Sequence, residues 1–463
     1  MFPPFPQERA HSVCLAMIRQ LEEGALSLEQ VTQLSEERAG IGIMLGALIC
    51  TDARGNEIVL KTASGFSRAL TPHFDDSAIY VPPVVTPEQI ERAVAANDDA
   101  IHALTAQIDE CRRKLESASG SGKNAGDAER DELEAQIKAL VAKRLSLTQE
   151  SVARVYALYS FHCADSSVRT LYDICSERCG GKYPPTGTGD CCAPKLLDYA
   201  FSHALTPISL CEVFYGRGTP HKISGTDYAP CDDRCGIILP AMLGLEILYR
   251  DDNIIVVNKQ SGVLSVPGKT EKDCIVNRVR RLFPQCIEQP AVHRLDMETS
   301  GLLVLAFTKE AHRALNRQFE AGSVKKEYAA LVDGILPAHK IPEHGMMELY
   351  FRVDIENRPH QIWDEVYGKK AVTEWQVKDV ETYYAPDGSR RKVTRVLFLP
   401  HTGRTHQLRL ASADSHGFGF PIIGDTLYGH CDKGERLMLH AQYLAFTHPV
   451  TGEQMEFRCK ADF

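Results

Sequence analysis

The sequence predicts an α+β protein made of several structural pieces, the last and largest of them a sheet with helices packed on it. Three observations lead there. Its 463 residues are roughly three times an ordinary domain. From about Leu245 the chain is strand-rich, with LEILYRD, NIIVVNK, LLVLAFT, EYAALVDG, VTEWQVKDV, KVTRVLFLP and LAFTHPVTG separated by turns and helical patterns at CIVNRVRRLFP and KEAHRALNRQFEAG. Before it, Ile90, Val94, Asn97, Ile101, Leu104, Ile108, Cys111 and Leu115 alternate four and three apart, a coiled-coil seam with one polar position.

In chain order, residues 1–84 read as a small mixed segment: a helix around SVCLAMIRQLEEG, then strands GIMLGALICT and EIVLKT about the turn DARGN. Residues 85–159 read as a helical hairpin, in which a second amphipathic helix starts near Leu133 after the Gly/Ser turn SASGSGKNAGD. Its charged faces fit either a solvated spacer or a docking surface for a protein or the ribosome. Residues 160–243 concentrate cysteine. Cys175/Cys179 and Cys231/Cys235 are C-x3-C pairs that can each offer two thiolates to zinc, with Cys191, Cys192 or His203 as completions. Reduced cysteine also packs as a small apolar residue, so the spacing leaves metal binding open. The Gly-rich PPTGTGDCCAPKLL lacks the Gly-Lys-Ser/Thr ending of a nucleoside-triphosphate cradle. Residues 244–463 form the mixed sheet-and-helix domain.

Composition excludes several classes. A 44% hydrophobic and 24% charged chain is neither disordered nor fibrous. No stretch approaches the roughly 18 apolar residues of a membrane span, and the start lacks a secretory pattern, so no membrane partner and a cytoplasmic location are expected. Fifteen cysteines without an export signal are expected to stay reduced or hold metal. The net charge of −9 arises entirely in residues 1–245, which hold 23 Lys+Arg against 32 Asp+Glu, whereas residues 246–463 hold 29 of each. Acidity overall therefore does not exclude a nucleic-acid partner, because only nearby charges act strongly on phosphates.

Three segments of the last domain couple chemistry to a strand: HRLDMETSGLLVLA at 293–306, VKKEYAALVDG at 324–334 and LPHTGRTHQLRLAS at 399–412. Asp296 precedes a Thr-Ser-Gly turn and an apolar strand, which sets a carboxylate at the mouth of a sheet. Taken alone, Asp296 fits a turn or cap equally well, Tyr328 fits packing, and His293, His406 and His440 fit structural roles.

Together with NIIVVNKQSGVLSVPG, Asn357-Arg358-Pro359, GFPIIGDTLYG, LMLHAQYLAFTHPVTGE and the ending KADF, these segments resemble the RluA family of pseudouridine synthases. The likeness runs from about Ile247 to Phe463, a little under half the chain. It implies the pseudouridine synthase fold, a mixed, mainly antiparallel sheet with a central cleft, and isomerisation of uridine to pseudouridine in ribosomal and/or transfer RNA. The reaction consumes no redox equivalents or external energy, so no cofactor is expected.

The resemblance also implies roles. Asp296 takes the catalytic aspartate position, ionised so as to stabilise or trap the sugar cation as carboxylates do in glycoside cleavage. Arg409 matches the arginine that pairs with it. Tyr328 matches the tyrosine that stacks on the flipped base and helps remove the carbon-5 proton. Arg294 matches the residue entering the space the base leaves. Thr299, Arg404, His406 and Gln407 are expected substrate contacts. Arg278/Arg280/Arg281, Lys325/Lys326 and Arg390/Arg391/Lys392/Arg395 are basic clusters able to track phosphates.

Overall fold

Alternation of apolar and polar residues builds two different cores. The computed structural model describes residues 3–30, 42–65, 68–118, 126–179, 182, 184–218 and 220–463, and these form two units, residues 3–242 and 243–463.

In the first unit, helix α1 (Glu8–Glu22) buries Ala10, Cys14, Met17 and Ile18, a spacing that puts all four on one face. They pack on a four-stranded sheet in which β2 (Ile43–Thr51) lies between β3 (Glu57–Ala63) and β8 (Thr206–Tyr215), with β5 (Ile79–Tyr80) outside β3. Two small ribbons accompany it: β1 (Leu26–Gln30) with β4 (Arg68–Pro72), and β6 (Ser160–His162) with β7 (Val168–Thr170). Helices α2 (Pro87–Ala118) and α3 (Gly126–Leu158) lie against each other. Leu104, Ile108 and Cys111 are buried along α2, and Asn97 Nδ2 donates to the Leu147 carbonyl at 3.2 Å. The second helix thus begins before Leu133, and most of the Gly/Ser turn falls at 119–125, outside the described residues. Three short helices follow: α4 (Leu171–Arg178), α5 (Cys192–Ser202) and α6 (Cys235–Leu243).

The second unit is a ten-stranded sheet. Its strands are β9 (Glu246–Arg250), β10 (Ile254–Lys259), β11 (Ser300–Ala306), β12 (Lys325–Asp333), β13 (His344–Val353), β14 (Gln361–Trp363), β15 (Lys369–Tyr384), β16 (Arg390–Pro400), β17 (Leu439–Thr447) and β18 (Gln454–Arg458). The order is β14-β13-β15-β16-β12-β17-β11-β10-β9, with β18 also on β17. Every pairing is antiparallel except β11 with β17, which gives the mixed, mainly antiparallel α+β architecture. Helices α7 (Ile275–Leu282), α8 (Lys309–Glu320) and α9 (Gln407–Ala413) complete the unit. Ala311 and Leu315 of α8 pack with Ile254, Val304 and Phe446, and a second core gathers around Trp375, Phe398, Phe418 and Ile422. The stretch after Arg409 therefore contributes Phe418 and Ile422 to packing.

One register row organises the sheet. Lys259, Gly301, Ala441, Tyr328, Phe398, Trp375 and Gly345 lie opposite one another on successive strands. Gly301 is required there: its φ is +114°, and a Cβ would sit 2.4 Å from the Ala441 carbonyl oxygen. Ala441 thus has Gly301 on one side and Tyr328 on the other, which sets the start of β11 and the tyrosine about 9.6 Å apart, two strand spacings. Opposite the step from Glu327 to Tyr328, β17 carries one extra residue, Gln442, a bulge that shifts the register there.

Candidate active site

Asp296 stands on the turn that leads into β11, and residues 259–265 hold that turn from below. Lys259, fully buried, donates from Nζ to the carbonyls of Gln260, Val263 and Met297 at 3.0, 2.7 and 2.9 Å. The Ser261 hydroxyl donates to Glu298 O at 2.6 Å. Ser265 Oγ donates to Leu295 O at 2.7 Å and accepts the Leu295 N–H at 3.0 Å. Backbone bonds from Gly262 N to Met297 O and from Thr299 N to Asp296 O complete the brace. Burial lowers the Lys259 ammonium to about 7, an effect the negative charge of Asp296 opposes.

Arg409 arrives on α9 rather than on a strand. β16 ends at Pro400, and a turn through Gly403 leads to His406, whose φ of +54° redirects the chain into the helix. Arg409 is 2% exposed, and its guanidinium faces three carboxylates. Two nitrogens bind Asp425, Nε to Oδ2 at 2.9 Å and Nη2 to Oδ1 at 2.6 Å. Nη2 also reaches Glu298 Oε2 at 3.1 Å, while Nη1 lies 3.8 Å from Asp296 Oδ2. The strong partner of Arg409 is therefore Asp425, and Asp296 is its looser neighbour. Asp425 is wholly buried and also accepts the N–H groups of Leu427 and Tyr428. Glu298 accepts the Thr426 hydroxyl at 2.7 Å.

Tyr428 joins the same network. Its ring lies 5.5 Å from the Arg409 guanidinium carbon, and its hydroxyl is 2.6 Å from His406 Nδ1. Burial lowers the His406 imidazolium, an effect the negative charge of Asp296 opposes. Asp425, Glu298, Tyr428 and Lys259 were not singled out in the sequence. Lys259 and the GDTLYG segment lie within the motifs quoted above, but only three-dimensional proximity gives them partners.

A cleft of about 1060 Å³ opens over this network, lined among others by Arg294, Asp296, Tyr328, Arg404, His406 and Arg409. The Tyr328 hydroxyl has no hydrogen-bond partner among the described residues. Burial, and then the charge of Asp296, push its phenol well above the usual range. Arg294 is exposed, and Arg404 is exposed with Nε on the Lys370 carbonyl at 3.0 Å. Thr299 and Gln407 are buried beneath. The Gln407 amide holds the turn together by accepting from Thr402 Oγ1 and Arg404 N and donating to Val372 O and Thr373 Oγ1. His293 accepts the Val304 N–H at 3.1 Å and stacks on Phe319, and burial lowers it to about 3. His440 lies between Ser300 Oγ and the Cys459 carbonyl. Several clustered arginines are already paired: Arg278 with Asp273, Arg391 with Glu435, and Arg395 with Glu381.

In the first unit, the sulfurs of Cys191, Cys231 and Cys235 lie together, whereas Cys175, Cys179, Cys192 and His203 stand outside that group.

Comparison with known proteins places the second unit in context. A family model described as RNA pseudouridylate synthase matches residues 253–414. The dual-specificity RNA pseudouridine synthase RluA of Escherichia coli (strain K12) is 44% identical over 224 residues, covering 47% of this chain and 94% of that protein. Its namesake in Haemophilus influenzae is 45% identical over 224 residues, with the same coverage. Among solved structures, human RNA Pseudouridylate Synthase Domain Containing 1 is 30% identical with a TM-score of 0.39, covering 47% of this chain and 83% of that one.

Proposed function

The chain belongs to the RluA family of pseudouridine synthases and is an isomerase acting on RNA, and from that premise we propose that residues 243–463 convert specific uridines of ribosomal and/or transfer RNA by means of Asp296 acting on a flipped-out nucleotide. The observation carrying this reading is the state of the three carboxylates around Arg409. Asp425 and Glu298 are committed to hydrogen bonds, whereas Asp296 makes no side-chain hydrogen bond among the described residues and lines the cleft.

The chemistry follows from that placement. Breaking the bond between ribose and the base nitrogen leaves positive charge on the sugar, and a carboxylate beside it stabilises or traps that charge. Asp296 supplies the carboxylate, and the guanidinium near it fixes its orientation. The uracil turns, carbon 5 bonds to the sugar and gives up its proton, and the ring nitrogen released from the sugar takes up a proton, so the atoms are unchanged overall. Tyr328 offers a flat face to the uracil and a hydroxyl beside the moving proton.

A base stacked in duplex hides its sugar bond, so the nucleotide must leave the stack at a cost of a few kcal/mol. Arg294, exposed at the cleft rim, suits the vacated space. Arg404 and Lys326, which also line the cleft, suit the flanking phosphates. The dual specificity in the relatives' names supports substrates in more than one RNA.

Product analysis tests the reading. Ribosomal and transfer RNA transcripts incubated with the full chain are digested and their nucleosides separated. Pseudouridine is expected. Free uracil would mean hydrolysis, and tightly bound but unaltered RNA a scaffold; either sinks the proposal.

A further inference from the structure

The first unit holds a second concentration of chemistry, unrelated to the cleft. Cys191, Cys231 and Cys235 come from two places in the chain, yet their three sulfurs all lie within 4.8 Å of one another. Zinc bonded to thiolates at about 2.3 Å would bring such sulfurs to about 3.8 Å, so the group needs only a small contraction to close on an ion.

Local structure aims these thiols together. Cys191 is the N-cap of α5, and Cys235 is the first residue of α6. Cys231 sits one turn earlier, where Gly236 N donates to its carbonyl at 3.0 Å. Two helix starts therefore bring the three thiols together. The start of α5 is itself fixed. Asp190 accepts the Tyr159 hydroxyl at 2.8 Å, and buried Lys195 donates to the Ala63 and Gly65 carbonyls. Gly189, at φ +104°, leaves room for the Tyr159 ring, which a Cβ would meet at 2.7 Å.

Packing does not account for the cluster. Cys192, next in sequence, behaves as a packing cysteine: it is fully buried, lies against Gly46, and its thiol donates to the Met44 carbonyl. Cys231 is exposed, which a cysteine used as a small apolar filler would not be. None of the three is in a disulfide. No other group of three or more His, Cys, Asp or Glu ligand atoms gathers in this way among the described residues, and no fourth such atom joins the three. The nearby carboxylate of Glu212 is engaged in accepting the Ala193 N–H at 2.6 Å.

We propose that Cys191, Cys231 and Cys235 bind one zinc ion through three thiolates, with a solvent molecule as the fourth ligand reached from the exposed Cys231 side. Thiolate softness selects zinc over magnesium or calcium. Three protein ligands with one open position is the pattern of zinc that meets a water or substrate, and differs from the closed four-ligand structural site.

The test uses the full chain, purified without chelator and loaded with zinc before gel filtration. Elemental analysis is expected to find one zinc per chain in the wild type and in Cys175→Ser and Cys192→Ser, and less than a tenth of that in Cys191→Ser and Cys235→Ser. Metal-free wild type, a disulfide within the triad, or full zinc in Cys235→Ser overturns the site. Loss of a thiol can also unfold the unit, so Co²⁺ is placed in the wild type as a spectroscopic probe. Intense thiolate-to-metal absorption with tetrahedral visible bands is expected, and azide is expected to shift those bands. A six-coordinate spectrum overturns the site, and indifference to azide overturns the open position. Asp296→Asn is expected to keep its zinc, which separates this proposal from the one for the cleft.

Discussion

Arg409 grips Asp425 with two nitrogens at 2.9 and 2.6 Å but stands 3.8 Å from Asp296. The arginine is thus anchored from behind, and the acid that faces the cleft is left with oxygens available to a substrate. This division of labour separates residues whose loss should damage the fold from those whose loss should damage only the reaction.

Asp296→Asn keeps size and removes charge. Product formation should fall by on the order of a thousandfold or more, while RNA affinity and the urea midpoint stay near wild type. Pseudouridine yield in single-turnover assays, together with gel-shift binding, checks this; near-normal turnover would refute the assignment.

Asp425→Asn should do the opposite first. It leaves a buried guanidinium short of a charged partner, which costs about 3 kcal/mol when one half of such a pair is removed. Urea denaturation should show the loss, and turnover should drop as Arg409 loosens. An unchanged midpoint would mean that the pair is not structural.

Tyr328→Phe preserves the ring and removes a hydroxyl with no partner among the described residues. Stability should change by about 0.5 kcal/mol or less, RNA should still bind, and turnover should fall about a hundredfold if the hydroxyl handles the carbon-5 proton. Comparison with Tyr328→Leu, which should also weaken binding, separates stacking from proton transfer.

Lys259 supplies a pH dependence. Its folded value is lowered to about 7 from an ordinary 10.5, so between those values the unfolded chain holds a proton that the folded chain lacks. Stability from this group therefore rises with pH across that window and is lost as pH falls through about 7. Against Lys259→Met, the wild type should gain relative stability from pH 7 to 9.5 by chemical denaturation. A constant difference would show that the amine does not titrate there.

Arg404→Gln removes one exposed cation from the cleft wall. RNA binding should weaken for every sequence alike, and the slope of log affinity against log salt should shrink by about 1. An effect confined to one target sequence would reassign Arg404 from phosphate contact to base reading.

Legibility of the sequence was uneven for physical reasons. Long apolar runs such as NIIVVNK and LLVLAFT announce β10 and β11 because they are buried on both faces. HGMMELYFRV does not announce β13, since its outer half is mostly exposed and its inward glycine at 345 makes way for Trp375. Asp296, Tyr328 and Arg409 stood out because their motifs are local. Asp425 and Lys259 did not, because their roles exist only where distant segments meet. The cysteine spacing offered several combinations, and only the convergence of two helix starts singles out Cys191 with Cys231 and Cys235.

The alignment of Gly301, Ala441 and Tyr328 across three strands has a wider effect. Strand β17 serves as the common ruler from which the acid's turn and the aromatic floor are both measured. Sliding it by one residue would flip its side chains to the opposite face and misplace both margins together. Backbone ladders, which do not depend on side-chain identity, thereby hold the two margins in step.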